Sequence, residues 1–86
     1  MVLDGARVLF LSSKDYFGEI AYSDNSLPPT TVRYLAICKY ENDNKVFLFL
    51  CDEQMEVEQD CYFDTLEEAI EDGYRRNKNI VWNEVE

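Results

Sequence analysis

No histidine occurs among the 86 residues, which removes the side chain most often used as general base and metal ligand near neutral pH. Serine or cysteine nucleophiles therefore have no imidazole beside them to take a proton. Glycine is scarce, three in all, and no Gly-rich phosphate-binding loop can be built from so few. Ser12 and Ser13 precede Lys14, but not at the SxxK spacing of a serine–lysine nucleophile. Positive charge is also scarce: eight Lys and Arg stand against eighteen Asp and Glu, for a net charge of −10. That balance disfavours nucleic acid as a ligand, because binding would bring like charges together. It favours basic partners. The three cysteines, Cys38, Cys51 and Cys61, are odd in number and form no CxxC, a pattern expected of reduced thiols in a cytoplasmic protein. No apolar run approaches the ~20 residues that span a bilayer. The N-terminal apolar run is short and has Asp4 ahead of it, which does not suit a secretory leader. Neither a membrane nor a cofactor is expected, and the chain is expected to be no enzyme.

What is present is ample core material. Hydrophobic residues make up 47% of the chain and aromatics 14%, which excludes disorder and fits a single domain over residues 1–86. A chain of this length buries roughly 60% of its unfolded surface.

The apolar pattern has period 2 over most of the chain. Ala6–Ser12 and Gly18–Ser23 read as strands, the first strongly β-favouring. Between residues 23 and 31, Ser, Asp, Asn and two adjacent prolines predict a loop. Val32–Tyr40 carries apolar side chains on both faces, as a strand covered on both sides does. Residues 41–44 form a turn, Val46–Cys51 a further strand, Asp52–Gln54 a tight connection and Met55–Phe63 a fifth strand. In that strand Met55, Val57, Cys61 and Phe63 are expected on one face and Glu56, Glu58, Asp60 and Tyr62 on the other. Connections this short make the last three strands an antiparallel meander.

The period then changes to 3.6. Leu66, Ala69, Ile70, Gly73 and Tyr74 define one face of an amphipathic helix at about 65–78. Asp64 or Thr65, each with a glutamate three residues on, can form a capping box. Glu71 with Arg75 and Asp72 with Arg76 are well-ordered i,i+4 pairs. Gly73 falls on the apolar stripe, where it costs about 1 kcal/mol against alanine, and its expected purpose is close approach of the helix to the sheet. Ile80–Trp82 is a short apolar tail suited to an edge pairing or to covering the helix end. The expected fold is α+β, an antiparallel sheet of about five strands with one C-terminal helix packed on one face.

The charge is concentrated. Residues 41–72 hold twelve acids and one base, Lys45, for a net −11, while the remainder is near neutral. The segment CDEQMEVEQD, Cys51–Asp60, has five acids and no base. Its carboxylates could simply keep one sheet face wet and guard an edge. The alternative is an anionic patch, which speeds association and selects a partner, with Tyr62 as an aromatic anchor. Neighbours on one strand face lie roughly 7 Å apart, too far for one ion without another segment, and the order of residues is not that of an EF-hand loop. No metal site is expected, from these carboxylates or from the cysteines.

The stretch VFLFLCDEQMEVEQDCYFDTLEEAIEDGYRRNKNIVW, residues 46–82, resembles a group of small, uncharacterised bacterial proteins of the immunity-protein-like kind. The shared features are an aromatic strand ending in CDE, a short turn, a strand ending in an aromatic and Asp, a T-L-E-E-A helix start and a closing I-x-W. Met55 stands where that group usually has an aromatic. The resemblance implies a non-catalytic inhibitor that blocks a basic target, such as a toxin nuclease, by surface complementarity. The expected contact residues are Asp52, Glu53, Glu56, Glu58, Asp60 and Tyr62, on a monomer or homodimer. The competing readings are a structural or self-associating module with a solvated acidic face, and an acidic mimic of DNA.

Overall fold

A computed structural model describes all of residues 1–86. It has eight strands and one helix: β1 (Val2–Leu3), β2 (Ala6–Ser12), β3 (Glu19–Ile20), β4 (Thr30–Thr31), β5 (Tyr34–Lys39), β6 (Val46–Cys51), β7 (Val57–Phe63), α1 (Leu66–Arg76) and β8 (Trp82–Glu84). Six strands form one curled antiparallel sheet in the order β1-β2-β5-β6-β7, with β8 alongside the second half of β2. The α+β class, the β5–β6–β7 meander and the C-terminal helix are as the periodicities predict.

The hairpin that opens the sheet turns at Asp4 and Gly5, with φ of 48° and 80°. A two-residue Asp-Gly loop with both φ positive is the turn whose twist matches antiparallel strands. Residues 18–23 depart from expectation. Only Glu19 and Ile20 are strand, and they pair with Thr30 and Thr31 in a separate ribbon rather than joining the main sheet. The predicted strand from Val32 begins at Tyr34, because Val32 turns its backbone to the Phe17–Gly18 segment instead: its N–H donates to Gly18 O and its carbonyl accepts from Phe17 N.

Both faces of the sheet are covered. Leu35, Ile37, Val46, Leu48 and Leu50 meet Ala69, Ile80, Phe17 and Val32 on the helix side. Ala6, Val8, Ala36, Cys38, Phe49 and Cys51 are buried on the other side, where Leu11, Tyr34, Tyr40, Phe47, Met55 and Val57 pack against them. Phe49 has no exposure, and burial of a side chain of its size stabilises by about 1.5–3 kcal/mol. Its neighbour Phe47 meets Tyr40 edge-on, with ring centroids 5.1 Å apart.

The helix is capped by Thr65, not Asp64. Thr65 Oγ1 accepts from Glu68 N, and Glu68 Oε1 accepts from Thr65 N. It ends at Arg76, two residues earlier than expected, because Asn77 takes an extended conformation and its side-chain Nδ2 donates to Tyr16 O. Both i,i+4 ion pairs form. A Cβ on Gly73 would stand 2.5 Å from Trp82 Cζ2, so the glycine admits an indole ring rather than the sheet backbone. Of the expected Ile80–Trp82 tail, Ile80 is buried on the helix side of the sheet and Trp82 opens an edge strand that runs to Glu84 against β2.

Candidate functional site

The β6–β7 hairpin carries the acidic segment, and its shape follows from one side chain. Asp52 Oδ1 accepts hydrogen bonds from Gln54 N and Glu56 N, both at 2.9 Å. This is the local side-chain-to-backbone bonding by which aspartate initiates turns. The Asp52 backbone closes the loop, donating to Glu56 O and accepting from Met55 N. Met55 sits at φ 64°, a left-handed conformation that costs a side-chain-bearing residue about 1–2 kcal/mol. That conformation ends the predicted strand: β7 begins at Val57, not Met55.

The clean alternation expected along Met55–Phe63 is also broken. Leu50 pairs with Gln59 but Cys51 pairs with Val57, so Glu58 is an extra residue, a β-bulge. Its effect is to put Met55 and Val57 against the Phe49 side of the sheet, while Cys61 and Phe63 pack toward the helix. These four apolar residues therefore divide between the two faces instead of sharing one.

The bulge and the turn together bring Asp52, Glu56 and Glu58 to one place, with one carboxylate oxygen of each within 4.8 Å of the others. The roughly 7 Å spacing of a flat strand does not apply here. Three hard oxygen donors at this separation could hold a divalent cation of the calcium kind, with water filling the remaining positions. Crowding has an electrostatic consequence. Glu58 is pushed above its ordinary carboxylate range, first by sharing a hydrogen bond with Asp52, then by partial desolvation and the negative charges of Asp52 and Glu56; the Tyr22 hydroxyl opposes the shift.

The six residues expected at the site do not form one cluster. Glu53 turns away to an ion pair with Lys14 at 2.5 Å, and that lysine holds its carboxyl below the usual range. Asp60 lies exposed opposite Phe49. Tyr62 is 64% exposed, about 13 Å along the strand from Glu58, with its ring against Phe47 and the Lys45 ammonium over it. Lys45 is in turn paired with Asp64. Of the twelve acids in residues 41–72, only Glu53, Asp64, Glu71 and Asp72 have an ion-pair partner. Asp52, Glu56, Glu58 and Asp60 have none.

Residues outside the predicted set border the hairpin. Tyr16, Thr30, Thr31 and Arg33 line an open cleft of about 550 Å³ with Asp52, Glu53 and Gln54. Tyr22 bonds Thr30 through its hydroxyl. The β3–β4 ribbon brings them there, and its two-residue strands leave no periodic signal. Cys38 and Cys51 are buried, and burial pushes their thiols up to about 12; the half-buried Cys61 is raised by the same cause. Comparison of the chain with protein-family models, with curated proteins and with solved structures finds no match.

Proposed function

We propose that this chain is a non-catalytic protein-binding module whose acidic hairpin holds a basic partner, in the manner of an immunity protein or an inhibitor of a toxin nuclease. The observation that carries the reading is the convergence of Asp52, Glu56 and Glu58 without a basic side chain in an ion pair to any of them. Carboxylates held together in this way raise each other's cost of ionisation, and a cation brought from outside relieves it. A lysine or arginine of a partner meets that need and is steered to it by the field of a −10 chain. Asp60 extends the negative surface along the strand, and Tyr62 supplies an exposed aromatic ring already seated on Phe47.

The test is affinity capture from lysate of the source cell at low and high salt, followed by purification of whatever is captured. The triple variant Glu56→Gln, Glu58→Gln, Asp60→Asn is run beside the wild type. A single basic protein that binds the wild type and is weakened both by salt and by the substitutions supports the reading. Equal capture by the two chains contradicts it. Competition by duplex DNA for the same partner would assign the chain to the DNA-mimic class instead.

A further inference from the structure

Strand β7 is the long open edge of the sheet and pairs only with β6. On the other side β2 is covered by β1 at its start and β8 at its end, so the open edge there is broken into strands of two and three residues. Seven residues long, β7 is exposed at Glu58, Gln59, Asp60 and Tyr62. The direction of its free backbone groups follows from the ladder. Cys51 O accepts from Arg33 N, on the β5 side, and Asp52 N donates to Glu56 O, on the β7 side. Backbone groups of successive residues point to opposite edges, so Leu50, Leu48 and Val46 bond toward β7, to Gln59, Cys61 and Phe63. Asp60 and Tyr62 therefore direct their N–H and C=O groups outward, and an added antiparallel strand could exchange four hydrogen bonds with them.

A second copy of this chain is a poor occupant. Antiparallel pairing of β7 with itself about Asp60 sets two Asp60 carboxylates against each other, pairing about Cys61 sets Glu58 against Asp64, and pairing about Tyr62 sets Asp60 against Asp64; like charges directly opposite destabilise a sheet. The same carboxylates favour an incoming strand that carries lysine or arginine opposite Asp60. Alternate residues of that strand would fall on the helix side, beside the half-buried Cys61 and Phe63. We infer that β7 accepts an extended segment of the partner, alternating basic and apolar residues, as an added edge strand. This deepens the proposed function and rests on it for the sign of the partner's charge.

The probe is a capped peptide of about eight residues alternating lysine and valine, long enough to span β7. Its binding is followed by calorimetry. The controls are the same peptide N-methylated at alternate residues and a peptide alternating glutamate and valine. The protein variants are Tyr62→Pro and the pair Glu58→Gln, Asp60→Asn. Proline is tolerated at an edge position whose N–H faces solvent, and circular dichroism checks that the variant folds. Saturable binding of the lysine peptide is expected, weakened at least about tenfold (about 1.4 kcal/mol) by N-methylation, and weakened by Tyr62→Pro and by the carboxylate substitutions. The N-methylated control does not depend on any variant folding. Equal binding of the methylated and unmethylated peptides overturns edge pairing, and if the carboxylate variant still weakens both, the acidic-face reading survives alone. Equal binding of the glutamate peptide overturns the basic partner. No saturable binding of the lysine peptide overturns the inference.

Discussion

Gly73→Ala tests how the helix is seated. The new methyl would lie 2.5 Å from Trp82 Cζ2, 3.3 Å from Trp82 Cε2 and 3.4 Å from Ile80 Cδ1. The first distance is far inside van der Waals contact, so the indole or the helix must move. Forcing an extra carbon into a packed site costs about 1–3 kcal/mol. Replacing glycine in a helix interior returns about 1 kcal/mol. The expected net loss is about 1 kcal/mol, which lowers the melting temperature of a chain this size by about 4–8 °C. Thermal and urea unfolding, followed by circular dichroism, measure it. The mechanism is isolated by repeating the substitution with Trp82→Phe, which removes the offending ring atoms and a buried indole N–H that has no hydrogen-bond partner. In that background Gly73→Ala is expected to be neutral or stabilising, giving a coupling energy of about 1 kcal/mol or more in the double-mutant cycle. If Gly73→Ala stabilises the wild type, or acts equally in both backgrounds, the account of this contact is wrong.

Three further outcomes are expected. Phe49→Ala, at a position with no exposure, costs about 3–5 kcal/mol by denaturant titration; a loss under about 1 kcal/mol would mean that the second core face contributes little. Cys38 and Cys51, held up to about 12 by burial, stay protonated in the native chain; because their folded values are raised from 9.0, their contribution to stability is full below pH 9 and is lost as pH climbs toward 12. A thiol-disulfide reagent at mildly alkaline pH should therefore leave both intact until the chain unfolds, and rapid labelling of either would refute their burial. Glu58→Gln concerns a carboxyl whose folded value is raised above 4.5 by Asp52 and Glu56. Its contribution favours folding on the acid side and fades as pH rises through the folded value, so the variant should melt at or above the wild-type temperature at neutral pH; a lower melting temperature there would refute crowding at the hairpin.

Periodicity made the meander and the helix legible because each buries a repeating face: Val46–Cys51 on both sides of the sheet, Leu66, Ala69, Ile70 and Gly73 along one stripe, while Tyr74, expected on that stripe, is exposed at its margin. What it could not convey were local backbone events. The Glu58 bulge shifts pairing by one residue, and alternation alone cannot reveal an inserted residue. The β3–β4 ribbon is held by neighbouring loops rather than by a pattern of its own. The Asp4-Gly5 turn did carry a signal, since Asp-Gly between apolar pairs marks a tight hairpin. The six expected contact residues rest on charge and alternation. Three of them converge, but Glu53 has a private partner in Lys14 and Tyr62 stands at the far end of the strand, facts fixed by side chains distant in sequence. Arg33 and Tyr22 come to the hairpin from elsewhere in the chain, and no spacing rule connects them to Asp52.

The unpaired carboxylates of the β6–β7 hairpin are proposed to bind a basic protein. The most direct measurement is the affinity of the purified captured partner for wild type and for Glu56→Gln, Glu58→Gln, Asp60→Asn across a series of salt concentrations. The account predicts weaker binding by the variant, a steep fall in wild-type affinity with salt and a shallower fall for the variant, because screening acts on the charges that were removed. Equal affinities with equal salt dependence, or no captured partner at all, would contradict it and leave those carboxylates as the wet face of a small sheet.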